Sequence, residues 1–586
     1  MTWANADFIT AQDLGLAYRR AKADLYYDGT HLKDFELCEY EDNLHENLGK
    51  LLTQLSLPAL DWMTSPQFVG DWSVIPRDIA KDPNHKRRTG WIPSDPDKCW
   101  QARVKDSKPT AQFRLVGAHG IDFHVVSALW ILKVGHLYDS ALGPEAYGSR
   151  VARQYPQSTI NQLSVGSFKP YAKQYGRWRD NGLKAMRRAV DDGKRVVAVT
   201  ADARLFYHNI SPDFLLHDAY LKDFVHLGDQ LDHDSRRFTR ALIDAIHAWA
   251  SRTPLHRADS SRGVPVGLSA SSLIANVALA ELDHTIAREI APLYYGRYVD
   301  DLMLVFEDTR DFSDDGAVWE FLRQRVGLEK VDENEGGTKF HRDYLGNSQI
   351  VFAGKKQKVF LLEGPTGSTL VETIQRQARA RTSEWRALPD VDEKLGALEA
   401  HLLAAVNDDG EEVDNLREMD ELSTRRQFLA FLLRDMEAFE RDLPDAAWKD
   451  RRKAFWRVII HSVIALPQLP TFARYLPRVF GLAIACRDYA DARNLVRRLK
   501  KVLKMIRTDC SVMIAGDSTV DGDEPVRRWT SSLILALRAI LAGAMKKHTR
   551  DAMQLQKVVL ALEGLSDTPL DTAFLPSSWA PRMFCP

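Results

Sequence analysis

Tyr294-Tyr-Gly-Arg-Tyr-Val-Asp-Asp-Leu-Met-Leu-Val-Phe306 sets two aromatic and aliphatic runs on either side of a pair of aspartates. Runs of this composition read as strands, and an Asp pair between them reads as the turn of a hairpin. Such a turn presents Asp300 and Asp301 instead of burying them. Adjacent carboxylates repel each other, and a bound cation offsets that repulsion. A bare Asp-Asp pair is by default a solvated turn. Here the flanking strand-like runs and the preceding Tyr298 argue for a working site.

Upstream lies Val196-Val-Ala-Val-Thr-Ala-Asp-Ala-Arg-Leu-Phe-Tyr207, a β-branched run that begins after Gly193 and delivers Asp202 at its end. It reads as a buried strand. Taken alone, Asp202 reads more readily as a helix N-cap. Taken with Asp300, it supplies a second strand-end carboxylate, and the two could hold two Mg2+ ions about 4 Å apart for in-line phosphoryl transfer. Between these stretches, Arg262-Gly-Val-Pro-Val-Gly-Leu-Ser-Ala-Ser-Ser-Leu-Ile-Ala-Asn276 is a Gly- and Pro-bounded loop feeding a helix with small residues at its start. Small residues let a nucleic-acid backbone or base pair approach closely. The plain alternative is a Ser-capped helix N-terminus.

In this order the three stretches resemble motifs A, B and C of the reverse transcriptase palm, with Asp202 at motif A, Gly263–Asn276 at motif B and Tyr298-Val-Asp-Asp at motif C. The resemblance implies an α+β right-hand polymerase with an antiparallel palm sheet. It also implies an RNA-directed DNA polymerase (a nucleotidyltransferase) using Mg2+ or Mn2+ held by Asp202, Asp300 and Asp301. Further stretches extend it over roughly residues 70–365. Gln112-Phe-Arg-Leu-Val resembles the fingers strand whose arginine, here Arg114, grips the incoming triphosphate, with Lys105 and Lys108 as weaker members of that cluster. Gly327–Phe340 resembles motif D, which makes Lys339 a candidate proton donor to pyrophosphate. Val351-Phe-Ala-Gly resembles the motif E turn that supports the primer end. Tyr207 falls where the family places an aromatic under the incoming sugar, which favours dNTPs; a core tyrosine beside Phe206 is the other reading. Phe206, Tyr207, Val266 and Gly267 are the candidate nucleotide-binding residues. The family usually has Gln where this chain has Val266, so the side-chain hydrogen bonds that Gln would offer are missing.

The remainder of the 586 residues sets limits. Hydrophobic residues make up 45% and charged residues 27%, the balance of a globular chain, which excludes wholesale disorder and collagen-like structure. A net charge of -1 excludes a uniformly basic nucleic-acid coat, so phosphate contacts must come from local patches. Cys38, Cys99, Cys486, Cys510 and Cys585 are scattered, which fits reduced thiols better than a zinc site or a disulfide scaffold. The opening is not a secretory signal and no apolar run is long enough to span a bilayer, so a cytoplasmic protein with no membrane partner is expected.

Residues 348–362 read as a hairpin turning near Gly354. From Ser368 onward, amphipathic helical periods dominate. The expected organisation is an N-terminal helical extension (1–65), fingers (66–190), palm (191–365) and a large all-α C-terminal domain in place of a thumb (366–586). Arg376, Arg379 and Arg381 fall just past the palm and are candidate nucleic-acid contacts. Arg497, Arg498, Lys500, Lys501, Lys504 and Arg507 share one helix, read first as a solvated face. A palm fused to a helical region, with no apparent RNase H, integrase or HNH constellation, is similar to the bacterial abortive-infection and unknown-group reverse transcriptases of antiphage defence. That resemblance implies dNTPs and a DNA product, a homo-oligomer, and either a partner non-coding RNA as template or synthesis started from a protein hydroxyl. The competing readings are an RNA-templated retroelement enzyme and an oligomeric scaffold with a vestigial polymerase site.

Overall fold

The computed structural model describes residues 8–28, 32–80, 95–105, 108–154, 159–255, 259, 261–331, 337–353, 357–372, 415–515 and 523–565. Two compact units emerge. One comprises residues 1–31, 40–72 and 116–383, the other residues 32–39, 73–115 and 384–586.

The first unit is built on a four-stranded antiparallel sheet in the order Lys358–Leu362, Val196–Asp202, Asp301–Glu307, Tyr294–Tyr298. Val196–Asp202 is a central strand, and its residues Val196–Val199 are fully buried, which is why it reads as an unbroken β-branched run rather than an alternating one. The helix Tyr171–Asp191 lies against this sheet, burying Trp178, Leu183, Met186 and Val190 beside Val196, Met303 and Val305. Gly182 permits the close approach: a Cβ there would stand 2.2 Å from the Met303 sulfur. A second, three-stranded sheet joins Glu329–Lys330, Gly337–Phe340 and Ile350–Ala353.

The expected hairpin at 348–362 does not form. Ile350–Ala353 pairs with Gly337–Phe340, whereas Lys358–Leu362 pairs with Val196–Asp202. Both runs are strands, but Ile350–Ala353 pairs with the strand just before it, and Lys358–Leu362 pairs with a strand far upstream. Gly354 lies outside the described residues.

The second unit is mainly helical, with Asn415–Asp442, Lys449–Val458, Leu476–Ala485, Tyr489–Asp509, Asp523–Lys547 and Ala552–Glu563 as its longer elements. Phe455, Phe480, Leu499, Val502, Leu533 and Val558 are all fully buried within it. It is not all-α. Ser511–Ile514 is a strand that pairs in parallel with Thr110–Phe113, in a three-stranded sheet completed by Asp71–Ala80. The segment expected to belong to the fingers is thus grouped by its contacts with the C-terminal residues. A fork of charge reinforces this: Arg498 donates to both Asp97 oxygens at 2.7 Å, Lys501 adds a third contact at 2.6 Å, and Trp100 Nε1 donates to Asp509 at 2.8 Å. At least two of the helical basic residues therefore serve the fold.

The Arg498 hydrogen bonds hold the Asp97 carboxyl down to about 2 against burial, with Lys501 helping. A carboxylate lowered on folding contributes stability above its unfolded value near 3.8, and that contribution is lost as pH falls through about 2. Asp97→Asn is expected to lower the melting temperature at pH 7. The gap from wild type should close between pH 4 and pH 2, in scanning calorimetry across that range; a gap independent of pH would refute the ion-pair account.

Candidate active site

Strand pairing brings the aspartates together. In the central pair Asp202 stands opposite Asp301, and in the next pair Tyr298 stands opposite Asp301. Only Val299 and Asp300 remain to make the turn between the two strands. The amide of Ala203 donates to the Asp300 carbonyl at 3.3 Å, which ties the end of the Asp202 strand to the turn. All three aspartates are half-buried.

The turn carries strain. Val299 has φ +57°, a left-handed conformation that a β-branched residue rarely adopts. Positive φ at the first of two turn residues suits a tight hairpin with right-twisted strands, and glycine is the usual choice there. Gly148 packs on this turn so closely that a Cβ would meet Val299 Cγ2 at 2.7 Å. Leu205, three residues beyond Asp202, has φ +50° and opens the short 3-10 helix Phe206–Asn209. Conformations of this kind cost about 1–3 kcal/mol each and persist where the surroundings over-determine them.

What over-determines the hairpin is Arg297. It is fully buried and pairs with the equally buried Asp283 at 2.6 Å. Its five N–H groups are all used: two reach the Asp283 oxygens, two reach the side-chain and main-chain oxygens of Asn276, and one reaches the Val299 carbonyl at 2.8 Å. Burial works against the guanidinium charge, but Asp283 outweighs it and raises Arg297 further above its ordinary value. Asn276 in turn donates to the Gly148 carbonyl at 2.8 Å. One arginine therefore connects the helix Ser269–Val277, the helix Ala280–Ile290 and the aspartate turn.

The candidate nucleotide residues cluster through the backbone. Val264 donates to the Tyr207 carbonyl at 2.8 Å, Gly263 to Ile210 at 2.7 Å, and Gly117 to the Val266 carbonyl at 3.2 Å. Gly263 and Gly267 have φ +99° and +94°, values that account for glycine at both positions. Tyr207 is half-buried, with its ring edge-on to Phe206. Phe206 is 3% exposed, which makes it a packing residue beneath this turn.

An aromatic group covers the other side of the hairpin. Tyr171 and Tyr175 meet the Tyr298 ring edge-on at 5.2 and 5.3 Å. Burial raises the Tyr171 hydroxyl, and the nearby charges of Asp301 and Asp300 raise it further. Burial also raises Tyr298, assisted by Tyr171, Tyr207 and Tyr175. All these directions keep the phenols protonated beside the carboxylates.

Other expected residues lie elsewhere. Lys339 is on the strand Gly337–Phe340, 3.7 Å from Glu329. The main chain at Ala203 and Arg204 meets Phe352 and Val351, so the 350–353 strand reaches the end of the Asp202 strand. Arg114 is exposed on the strand Thr110–Ala118 and belongs to the second unit, as do Lys105 and Lys108. Arg376, Arg379 and Arg381 lie outside the described residues. Sequence reasoning missed Arg297, Asp283, Asn276 and Tyr171. The available signal was an arginine at an interior position of a strand, where only a paired charge is tolerated.

Among the described residues, no three His, Cys, Asp or Glu side chains form a ready-made metal cage. The donor set still fits Mg2+, which binds through one or two carboxylates and completes its shell with water and substrate phosphates. Asp202 paired with Asp301, next to Asp300, offers that hard-oxygen set at the ends of rigid strands.

Residues 105–329 match the family model described as reverse transcriptase (RNA-dependent DNA polymerase). The match implies RNA-directed DNA polymerase, and hence nucleotidyltransferase, activity on nucleotide substrates with a nucleic-acid template and product. No curated protein matches the chain.

Arg297→Ala is expected to lower stability by about 3–5 kcal/mol, because it leaves the Asp283 carboxylate buried and unpaired. Arg297→Lys should recover little of this, since an ammonium cannot reproduce the fork. Urea unfolding of the full chain checks both; a midpoint unchanged by either substitution would remove Arg297 from its place in the fold.

Proposed function

We propose that this chain is a metal-dependent reverse-transcriptase-type DNA polymerase that adds dNTPs in antiphage defence. The observation that carries the polymerase reading is the register that sets Asp202 against Asp301 across two central strands, with Asp300 in the adjoining turn. Mg2+ held by these carboxylates would supply charge neutralisation for the triphosphate and the attacking hydroxyl. The chain's own residues do the remaining work. The strained turn fixes the carboxylates before substrate arrives, so little reorganisation remains for the reaction itself. The Gly263–Gly267 loop, bonded to the Tyr207 turn, shapes the floor beneath the incoming nucleotide. Tyr207 is the sugar gate and Lys339 the proton donor to pyrophosphate.

The defence role rests on the sequence likeness to abortive-infection and unknown-group enzymes and on the helical region that follows the palm. Synthesis in that setting copies a partner RNA or starts from a protein hydroxyl, in a homo-oligomer. Among the described residues no helix is long and apolar enough to cross a membrane.

Asp300→Ala and Asp301→Ala are expected to abolish dNTP incorporation by the purified full chain with Mg2+ or Mn2+, and to abolish protection in a phage plaque assay, with the melting temperature preserved. Incorporation at the wild-type rate by either folded variant would overturn the polymerase assignment. Loss of incorporation without loss of protection would overturn the defence role alone.

Tyr207→Ala is expected to raise rNTP use relative to dNTP at least tenfold in single-nucleotide extension. An unchanged ratio would remove Tyr207 as the gate.

A further inference from the structure

The helix Tyr171–Asp191 has two working faces. Trp178 and its neighbours pack on the sheet, and Tyr171 and Tyr175 meet the aspartate hairpin. Gln174, Arg177, Asn181 and Lys184 recur at helical spacing on another face and line open clefts outside the sheet edge. The opposite wall is the segment Pro144–Tyr147, which is bonded to the edge strand: Arg297 donates to the Glu145 carbonyl and Tyr147 to the Arg297 carbonyl, both at 2.8 Å.

Two clefts lie between these walls, of about 690 and about 400 Å3. They share Pro144, Tyr147 and Asn181 and so form one trough. From Gln174 to Lys184 the helix advances about 15 Å, room for more than one phosphate.

The smaller cleft is the decisive part. Arg150, Lys169 and Arg177 line it together with the Gln174 and Asn181 amides, and no carboxylate lines it. Arg150 is occupied by Asp139 and by main-chain carbonyls of the Gly143–Ala146 turn. Lys169 and Arg177, both exposed, have no carboxylate within ion-pair distance among the described residues. Partial burial lowers Lys169, and the charges of Arg150, Arg153 and Arg177 lower it further, with Asp139 opposing them. In the larger cleft Lys184 is also exposed, Glu145 is the one acidic lining residue, and the Tyr147 and Tyr294 rings line the wall. Asp139 is shared by Arg150 and Arg153, so the cluster carries more positive charge than its carboxylate offsets, and a bound anion would relieve the excess. Donors spaced along a trough with aromatic rings match a sugar–phosphate strand and its bases.

We propose that this trough binds single-stranded nucleic acid through its phosphates, with Lys169 and Arg177 as the main contacts and Lys184 continuing the track. It begins one helical turn from Tyr171, so a strand held here lies beside the catalytic hairpin without entering it. The inference rests on the polymerase reading only in making nucleic acid the phosphate source at hand.

The test measures binding without synthesis: fluorescence anisotropy of a labelled single-stranded 20-mer, as DNA and as RNA, with the full chain and no dNTP, over a range of salt. Lys169→Glu combined with Arg177→Glu is expected to raise Kd at least tenfold and to reduce the slope of log K against log salt by about 1.4, from about 0.7 per single-strand contact. Lys169→Arg with Arg177→Lys should bind as wild type does. Kd and slope within twofold of wild type in the reversed variant would overturn the proposal. So would a loss confined to dNTP or inorganic tripolyphosphate binding, which would identify a free-phosphate site instead. Should the reversed variant melt early, photocrosslinking of a 5-iodouridine strand to wild-type protein decides: a crosslink at Tyr147 or Tyr294 supports the trough, and crosslinks elsewhere only overturn it. Failure here leaves the polymerase reading standing, since that reading is tested by incorporation in the Asp300 and Asp301 variants.

Discussion

The buried pair of Arg297 and Asp283 is the constraint on which the aspartate end of the four-stranded sheet depends. A guanidinium is removed from water only if every donor finds an acceptor and the charge finds its opposite. Arg297 meets both conditions, with all five donors engaged. Its acceptors come from two helices and a turn, so satisfying the arginine sets where those elements must be. A hydrophobic residue of similar volume would fill the space without specifying the register. The ion pair is better understood as a device of position than as a net source of stability.

The strain beside the aspartates follows from the same arrangement. Val299 stays at φ +57° because its carbonyl is held by Arg297 and its backbone is braced by Gly148, which is itself held by Asn276. A glycine at 299 would relieve the strain and also loosen the turn, since glycine has more conformations to lose on folding. A branched residue in a left-handed conformation, locked from behind, gives a stiffer support for two repelling carboxylates.

Much of this site was legible in the chain. The Val196–Asp202 run and the Tyr294–Phe306 run announce themselves by composition, and antiparallel pairing then places Asp202 against Asp301. The Gly-Val-Pro-Val-Gly loop announces its two glycines, and both have positive φ. What was not legible depends on partners that local pattern does not name. The 348–362 segment reads as a hairpin because local pattern favours the nearest partner, yet each of its strands pairs elsewhere. Ser511–Ile514 sits after a long amphipathic helix and is too short to stand out, and its pairing with Thr110–Phe113 spans most of the chain. Arg297 is visible in the sequence, but its role requires knowing that Asp283 and Asn276 meet it, which helical spacing alone does not reveal.

The departure at Val266 is informative in this light. The loop carrying it is positioned by main-chain bonds, from Gly263 to Ile210, from Val264 to Tyr207 and from Gly117 to Val266 itself. None of these uses the side chain at 266. A glutamine there would add side-chain donors and an acceptor, but its absence does not release the loop. The main-chain scaffold of this loop is therefore separable from the contacts its side chains make. Val266, half-buried at the loop's crest, offers an apolar surface where a hydrogen-bonding one is usual. Contacts that discriminate through shape would persist in such a site, and contacts that discriminate through a side-chain amide at this position would not.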